Sequence, residues 1–127
     1  MNIRDLIRII DGKLITQPKN LSREIKGGFG GDLMSDVLAS IQPEAVLLTG
    51  LCNPQVVRTA QMADVTAIVL VRGKHPPAET IRLANEENVP LISTPYGMFE
   101  VCGRLHDEGL ASLEQPMQNG DCECEDF

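Results

Sequence analysis

Beyond Glu44 the sequence settles into an alternation that few folds can satisfy. Short apolar runs, of which Ala45-Val46-Leu47-Leu48 is the first and Ile68-Val69-Leu70-Val71 the second, are separated by longer stretches whose apolar residues recur at helical spacing. The first run has no polar interruption before Thr49-Gly50, the pattern of a strand covered on both faces. The spacing predicts strand 45–48, helix 54–62, strand 66–71, helix 77–87, strand 89–93 and helix 96–109. Asn53-Pro54 pairs an N-cap residue with a proline at the first helical position, and Pro76-Pro77 opens the next helix in the same manner. Strands joined by helices cross over the sheet in one hand, so these strands are expected to be parallel with helices on both faces. The predicted architecture is a compact α/β sandwich with a mostly parallel sheet.

Upstream, Leu33, Met34, Val37, Leu38 and Ile41 share one helix face, and Asp32 stands where an N-cap residue should. A helix is therefore expected to start near Asp32, to stop at Gln42-Pro43, and to follow a glycine loop over 27–32. Asn2 can cap a helix over 2–10 whose Ile3, Leu6, Ile7 and Ile10 form an apolar stripe, closed by Asp11-Gly12. Extended pieces are expected over 13–16 and 23–26 around a polar turn. The last helix presents Met98, Val101, Cys102 and Leu105 on one stripe, which makes Cys102 a core residue. From Glu114 the chain turns to Gln, Asn, Gly and acid, so the expected organisation is one domain over 1–113 and a flexible acidic tail over 114–127.

A chain of 127 residues is long enough to bury one core, and with no Trp, three Phe and one Tyr that core must be aliphatic. The formal net charge of −7 argues against duplex nucleic acid or an anionic membrane as partner, both of which require a basic surface, and leaves room for a local basic pocket. No apolar run reaches the roughly 20 residues that span a bilayer, and the N-terminus lacks the layout of a signal peptide. The protein is expected to be cytoplasmic, with its four cysteines reduced.

In parallel α/β sheets, ligands collect beyond the carboxyl ends of the strands. The segments expected there are Gly27 to Asp32, Thr49 to Asn53, Arg72-Gly73-Lys74-His75 and Thr94-Pro95-Tyr96. Glycine turns, hydroxyls at two strand ends and a basic cluster suit an anion, so the candidate ligand residues are Gly30, Asp32, Thr49, Gly50, Asn53, Arg72, Lys74 and Thr94. The glycine segment matches neither the phosphate loop nor the dinucleotide fingerprint, and Asp32 puts negative charge where a phosphate would sit. Turn geometry and a solvated loop would explain the same residues more plainly. Cys52 near a helix start has no neighbouring base, and Cys122-x-Cys124 offers half of a soft-metal site. Asp32 and Asp36 read as cap and solvated face. No triad or metal constellation emerges, and no catalytic residue or cofactor is assigned.

Gly30-Gly31-Asp32-Leu33-Met34-Ser35-Asp36-Val37-Leu38-Ala39, Leu47-Leu48-Thr49-Gly50, Ile68-Val69-Leu70-Val71 and Cys102-Gly103-Arg104-Leu105 together resemble a stand-alone DRTGG domain over about residues 3 to 110. The resemblance implies a fold like the N-terminal domain of HPr kinase and a regulatory role of the kind such domains have beside phosphotransacetylases and CBS-domain pyrophosphatases. The literal Asp-Arg-Thr-Gly-Gly signature is absent, with Thr49-Gly50-Leu51 its nearest remnant, and the P-loop of the kinase domain is missing. The expected function is a non-catalytic sensor, a homodimer or partner of another protein, that binds a nucleotide or a phosphorylated small molecule. The alternatives are a ligand-free interaction scaffold and, third, a small thiol-based redox protein.

Overall fold

The computed structural model describes residues 1–114 and 116. Its elements run α1 (Ile3–Ile9), β1 (Lys13–Leu14), β2 (Gly27–Gly30), α2 (Met34–Ser40), β3 (Ala45–Thr49), α3 (Pro54–Met62), β4 (Ala67–Leu70), α4 (Ala78–Glu86), β5 (Leu91–Ser93) and α5 (Met98–Asp107). The five strands form one sheet in the order β1-β5-β4-β3-β2, with β2 to β5 parallel and the short β1 antiparallel at the edge. The α/β sandwich and its parallel centre are as the alternation predicted.

Strand pleating divides the core in two. Leu47, Ile68, Leu70 and Leu91 face α2, α3 and α4, while Val46, Leu48, Val69 and Ile92 face α1 and α5. β3 and β4 are buried along their whole length, which is why their sequences read as unbroken apolar runs. Each large side chain removed from water there contributes on the order of 1.5–3 kcal/mol.

The N-terminal helix is closed as its sequence suggested: Asn2 and Asp5 form a reciprocal capping box, each side chain accepting the other's backbone N–H, at 2.9 and 3.1 Å. The left-handed residue that ends it is Asp11 (φ 49°), next to Gly12. Elsewhere the local readings need correction. Residues 27–30 are not a loop but the edge strand β2, paired with β3 from Gly27↔Ala45 to Gly30↔Leu48, while 23–26 lies outside the strands. Asp32 does not cap α2, which begins two residues later at Met34 and has no side-chain cap. Leu33 and Leu38 lie on its exposed side, so only Met34, Val37 and Ile41 of the expected stripe pack inward. Asn53 occupies the N-cap position of α3 ahead of Pro54 but makes no capping bond, and Pro77 is itself the N-cap residue of α4.

After α5 the chain turns at Gly109 (φ 92°) and crosses the outer edge of β2 as a strap. Gly28 N–H donates to the Ala111 carbonyl, Leu113 N–H donates to the Gly28 carbonyl, both at 2.9 Å, and Gln42 N–H donates to the Leu113 carbonyl at 3.1 Å. Nearly all of the expected acidic tail, including Cys122 and Cys124, lies outside the described residues. Among the described residues no helix is long and apolar enough to cross a membrane.

Candidate functional site

Because β2 to β5 are parallel, their carboxyl ends lie along one side of the sheet. The eight residues expected there fall into distinct local settings.

Asp32, Thr49 and Gly50 form a clasp. Asp32 Oδ1 accepts from Thr49 Oγ1 at 2.9 Å and from Gly50 N–H at 2.7 Å, while Thr49 Oγ1 in turn accepts from Leu51 N–H at 3.2 Å. Thr49 is fully buried, so its hydroxyl proton is spent inside the fold. The carboxylate supplies the negative charge that this turn would otherwise draw from solution. Thr94 is likewise internal: its Oγ1 donates to the Ile10 carbonyl at 2.7 Å and ties the end of β5 to the end of α1.

Arg72 and Lys74 project from the turn after β4. Arg72 and Gly73 adopt φ of 65° and 64°, a backbone held by Arg72 N–H donating to the Tyr96 carbonyl and Gly73 N–H donating to the Thr94 carbonyl, each at 2.7 Å. A side chain in the left-handed region costs on the order of 1 kcal/mol, which glycine or asparagine would avoid. The arginine is exposed, as are Lys74 and His75, and among the described residues neither Arg72 nor Lys74 is ion-paired. Its Nε lies 3.9 Å from the position a Cβ on Gly97 would take, at the side-chain-uncapped N-terminus of α5. Asn53, exposed and uncommitted by capping, stands at the N-terminus of α3.

Gly30 belongs to a third setting, which the sequence reading missed. On the face shared with α5, β2 presents Gly28 and Gly30, and the missing side chains leave a pocket of about 320 Å³ bordered by Leu48, Met98, Cys102 and Leu110. The signal was legible in principle, since Gly28 and Gly30 alternate with Phe29, which turns to the opposite core. Cys102, expected in the core, is exposed at this pocket. Its thiol is pushed above the ordinary cysteine value because neighbouring groups desolvate the sulfur.

Tyr96 closes the β5 side. Its hydroxyl donates to Asp11, Arg104 stacks over its ring at 4.0 Å, and Arg104 Nε donates to Glu100 at 2.8 Å. The phenol is held above its ordinary value, chiefly by the hydrogen bond to Asp11 and next by desolvation, against the opposing pull of Arg104. Cys52 is half-buried against the α2–α4 core, and its carbonyl accepts from Thr80 Oγ1 at 2.9 Å.

A family model, that of the DRTGG domain, matches residues 5–107. Among solved structures the chain is similar to the CBS and DRTGG domains of the regulatory region of Clostridium perfringens pyrophosphatase, complexed with the activator diadenosine tetraphosphate. The TM-score is 0.69 at 12% identity, over 92% of this chain and 51% of that one, so the chain spans about half the length of that structure. No functionally curated protein matches.

Proposed function

This chain belongs to the DRTGG domain family, and on that premise we propose that it is a cytoplasmic, non-catalytic regulatory module that senses an anionic metabolite or nucleotide. The anion is received at the carboxyl side of the sheet by Arg72 and Lys74, with Asn53 at the N-terminus of α3 as a further donor. The observation that carries this reading is Arg72: an arginine with no ion pair among the described residues, in a turn kept at φ 65° by the backbone hydrogen bonds of Arg72 and Gly73, beside the start of α5. Backbone strain of this kind persists where the surrounding structure over-determines it, and functional sites are where it concentrates. Asp32, Thr49, Gly50 and Thr94 shape the loops around the anion, and Gly30 opens the neighbouring pocket. The activator diadenosine tetraphosphate, complexed in the pyrophosphatase regulatory region, identifies the first ligand to try.

Calorimetry with that dinucleotide and a panel of mononucleotides and phosphorylated metabolites tests the reading. Each cation should contribute a charge-assisted hydrogen bond of roughly 1.5–3 kcal/mol. Arg72→Ala and Lys74→Ala should therefore each weaken binding at least about tenfold, with little change in melting temperature. Full affinity in the double variant would refute the assignment. A second reading, an interaction scaffold, draws on Phe99, 94% exposed, and Leu33, 60% exposed, large apolar side chains that a partner or a second copy would cover. We expect a homodimer by sedimentation, and a panel without any binder would favour the scaffold.

A further inference from the structure

Glycine inside a strand weakens it, and marks places where a ligand or another backbone comes close. In β2 one glycine is explained by the strap, which crosses Gly27; Gly28 and Gly30 are not, since a Cβ on Gly28 would meet only ordinary contacts. Their missing side chains leave the pocket of about 320 Å³, walled by Leu48, Met98, Leu105 and Leu110. Small-molecule sites fall in the range of roughly 300–1,000 Å³ and pair an apolar lining with a few polar groups. Here the polar groups are His106, Ser112 and Glu114, which border the same space and can meet the edge of a ring. A flat ring suits the slot, because it can lie against peptide groups that carry no Cβ.

This pocket and the anion site share the start of α5. Met98 lines the pocket, its Sδ 3.2 Å from the position of a Gly30 Cβ, and Gly97, one residue earlier, is the residue whose Cβ position lies 3.9 Å from Arg72 Nε. In the sheet, β4, which Arg72 follows, stands two strands from β2, a separation of roughly 10 Å. Exposed carboxylates flank the pocket, Asp32 after the end of β2 and Glu114 at its border. They repel a phosphate toward the Arg72 side and leave an uncharged ring undisturbed. An uncharged ring held apart from a phosphate is the layout of a nucleotide, in which a ribose spaces the two. We propose that the pocket over Gly28 and Gly30 receives the base of a nucleotide whose phosphates lie at Arg72 and Lys74. The ligand is then a nucleotide and not a sugar phosphate, which would leave the pocket empty.

The inference rests on the anion site proposed above, and its test separates the two. Cys102 is exposed at the pocket, so its thiol reports occupancy. Full-length chain is titrated by calorimetry with the adenine, guanine, cytosine and uracil nucleoside 5′-diphosphates and with inorganic pyrophosphate, and alkylation of Cys102 by iodoacetamide is followed by mass spectrometry in the presence of each. At least one nucleoside diphosphate should bind about tenfold or more tighter than pyrophosphate. At saturation it should slow Cys102 alkylation several-fold, whereas saturating pyrophosphate should leave the rate unchanged. Gly30→Leu fills the pocket and should bring that nucleotide down to the affinity of pyrophosphate without altering pyrophosphate binding; the alkylation comparison needs no variant and decides the matter even where this one fails to fold. A nucleotide that depends on Arg72 and Lys74 but leaves Cys102 at its free rate overturns the base pocket and spares the anion site. Protection of Cys102 that is indifferent to Arg72→Ala and Lys74→Ala overturns the anion site on which the proposal rests. A panel in which no nucleotide binds more tightly than pyrophosphate overturns the base pocket.

Discussion

Asp32 does locally what a bound anion does in other glycine turns. Its single Oδ1 satisfies a buried hydroxyl and a backbone N–H across 17 and 18 residues of sequence, joining the end of β2 to the end of β3. Asp32→Ala leaves the Thr49 hydroxyl without its acceptor, and the cost should be about 1–3 kcal/mol in urea unfolding. Thr49→Val added to it should cost less than the two single changes summed, since both remove one interaction. Strict additivity would mean the clasp does not persist in solution. Tyr96 offers a pH-dependent counterpart. Ionising the phenol would set a phenolate against the Asp11 carboxylate, so its folded-state value lies above that of the unfolded chain. The contribution is then fully present below the ordinary tyrosine range and is lost as pH rises through the raised value. Tyr96 is the sole tyrosine and there is no Trp, so phenolate absorbance reports on it alone. Its midpoint should exceed that of free tyrosine and fall back in Asp11→Asn; an ordinary midpoint in the parent protein would count against the contact.

At the level of elements, legibility followed burial. β3 and β4 carry apolar residues on both faces, and their positions were readable to within a residue or so, as was α3 with its leading proline. β2 was unreadable as a strand because its sequence is Gly-Gly-Phe-Gly, and glycine has no strand preference of its own. Its glycines answer to neighbours that no local pattern contains. A Cβ on Gly27 would lie 2.6 Å from Leu113 Cβ and 2.9 Å from the Ala111 carbonyl, so the strap can cross only a bare backbone. The same long-range cause moved Asp32 from the expected helix cap to the β3 turn, where it finds a better-placed N–H and a hydroxyl. The candidate site was half legible for the same reason. The charges of Arg72 and Lys74 were visible, but the spent hydroxyls of Thr49 and Thr94 depend on Asp32 and Ile10, which lie far away in sequence.

For the whole molecule, the two sheet edges are managed differently. On one side β1 is only two residues long, too short to template another chain. On the other side β2 would present unpaired backbone groups if the 110–114 strap did not take them. The strap supplies three backbone hydrogen bonds, two of them to Gly28, and packs Leu113 against the α2–α4 core. At about 0.5–1.5 kcal/mol for each bond, with a further gain from partial burial of Leu113, its loss should cost roughly 2–5 kcal/mol. The informative comparison is between a chain ending at Glu114 and one ending at Leu110, because they differ only in the strap. The shorter chain should unfold at distinctly lower urea concentration, with a similar slope. It should also aggregate more readily as the β2 edge and the adjoining pocket open to solvent. Equal midpoints would mean that β2 is held by β3 alone and that residues 111–114 merely rest on it; a lower midpoint, recovered by restoring only those four residues, would establish the strap as the structural closure of the sheet.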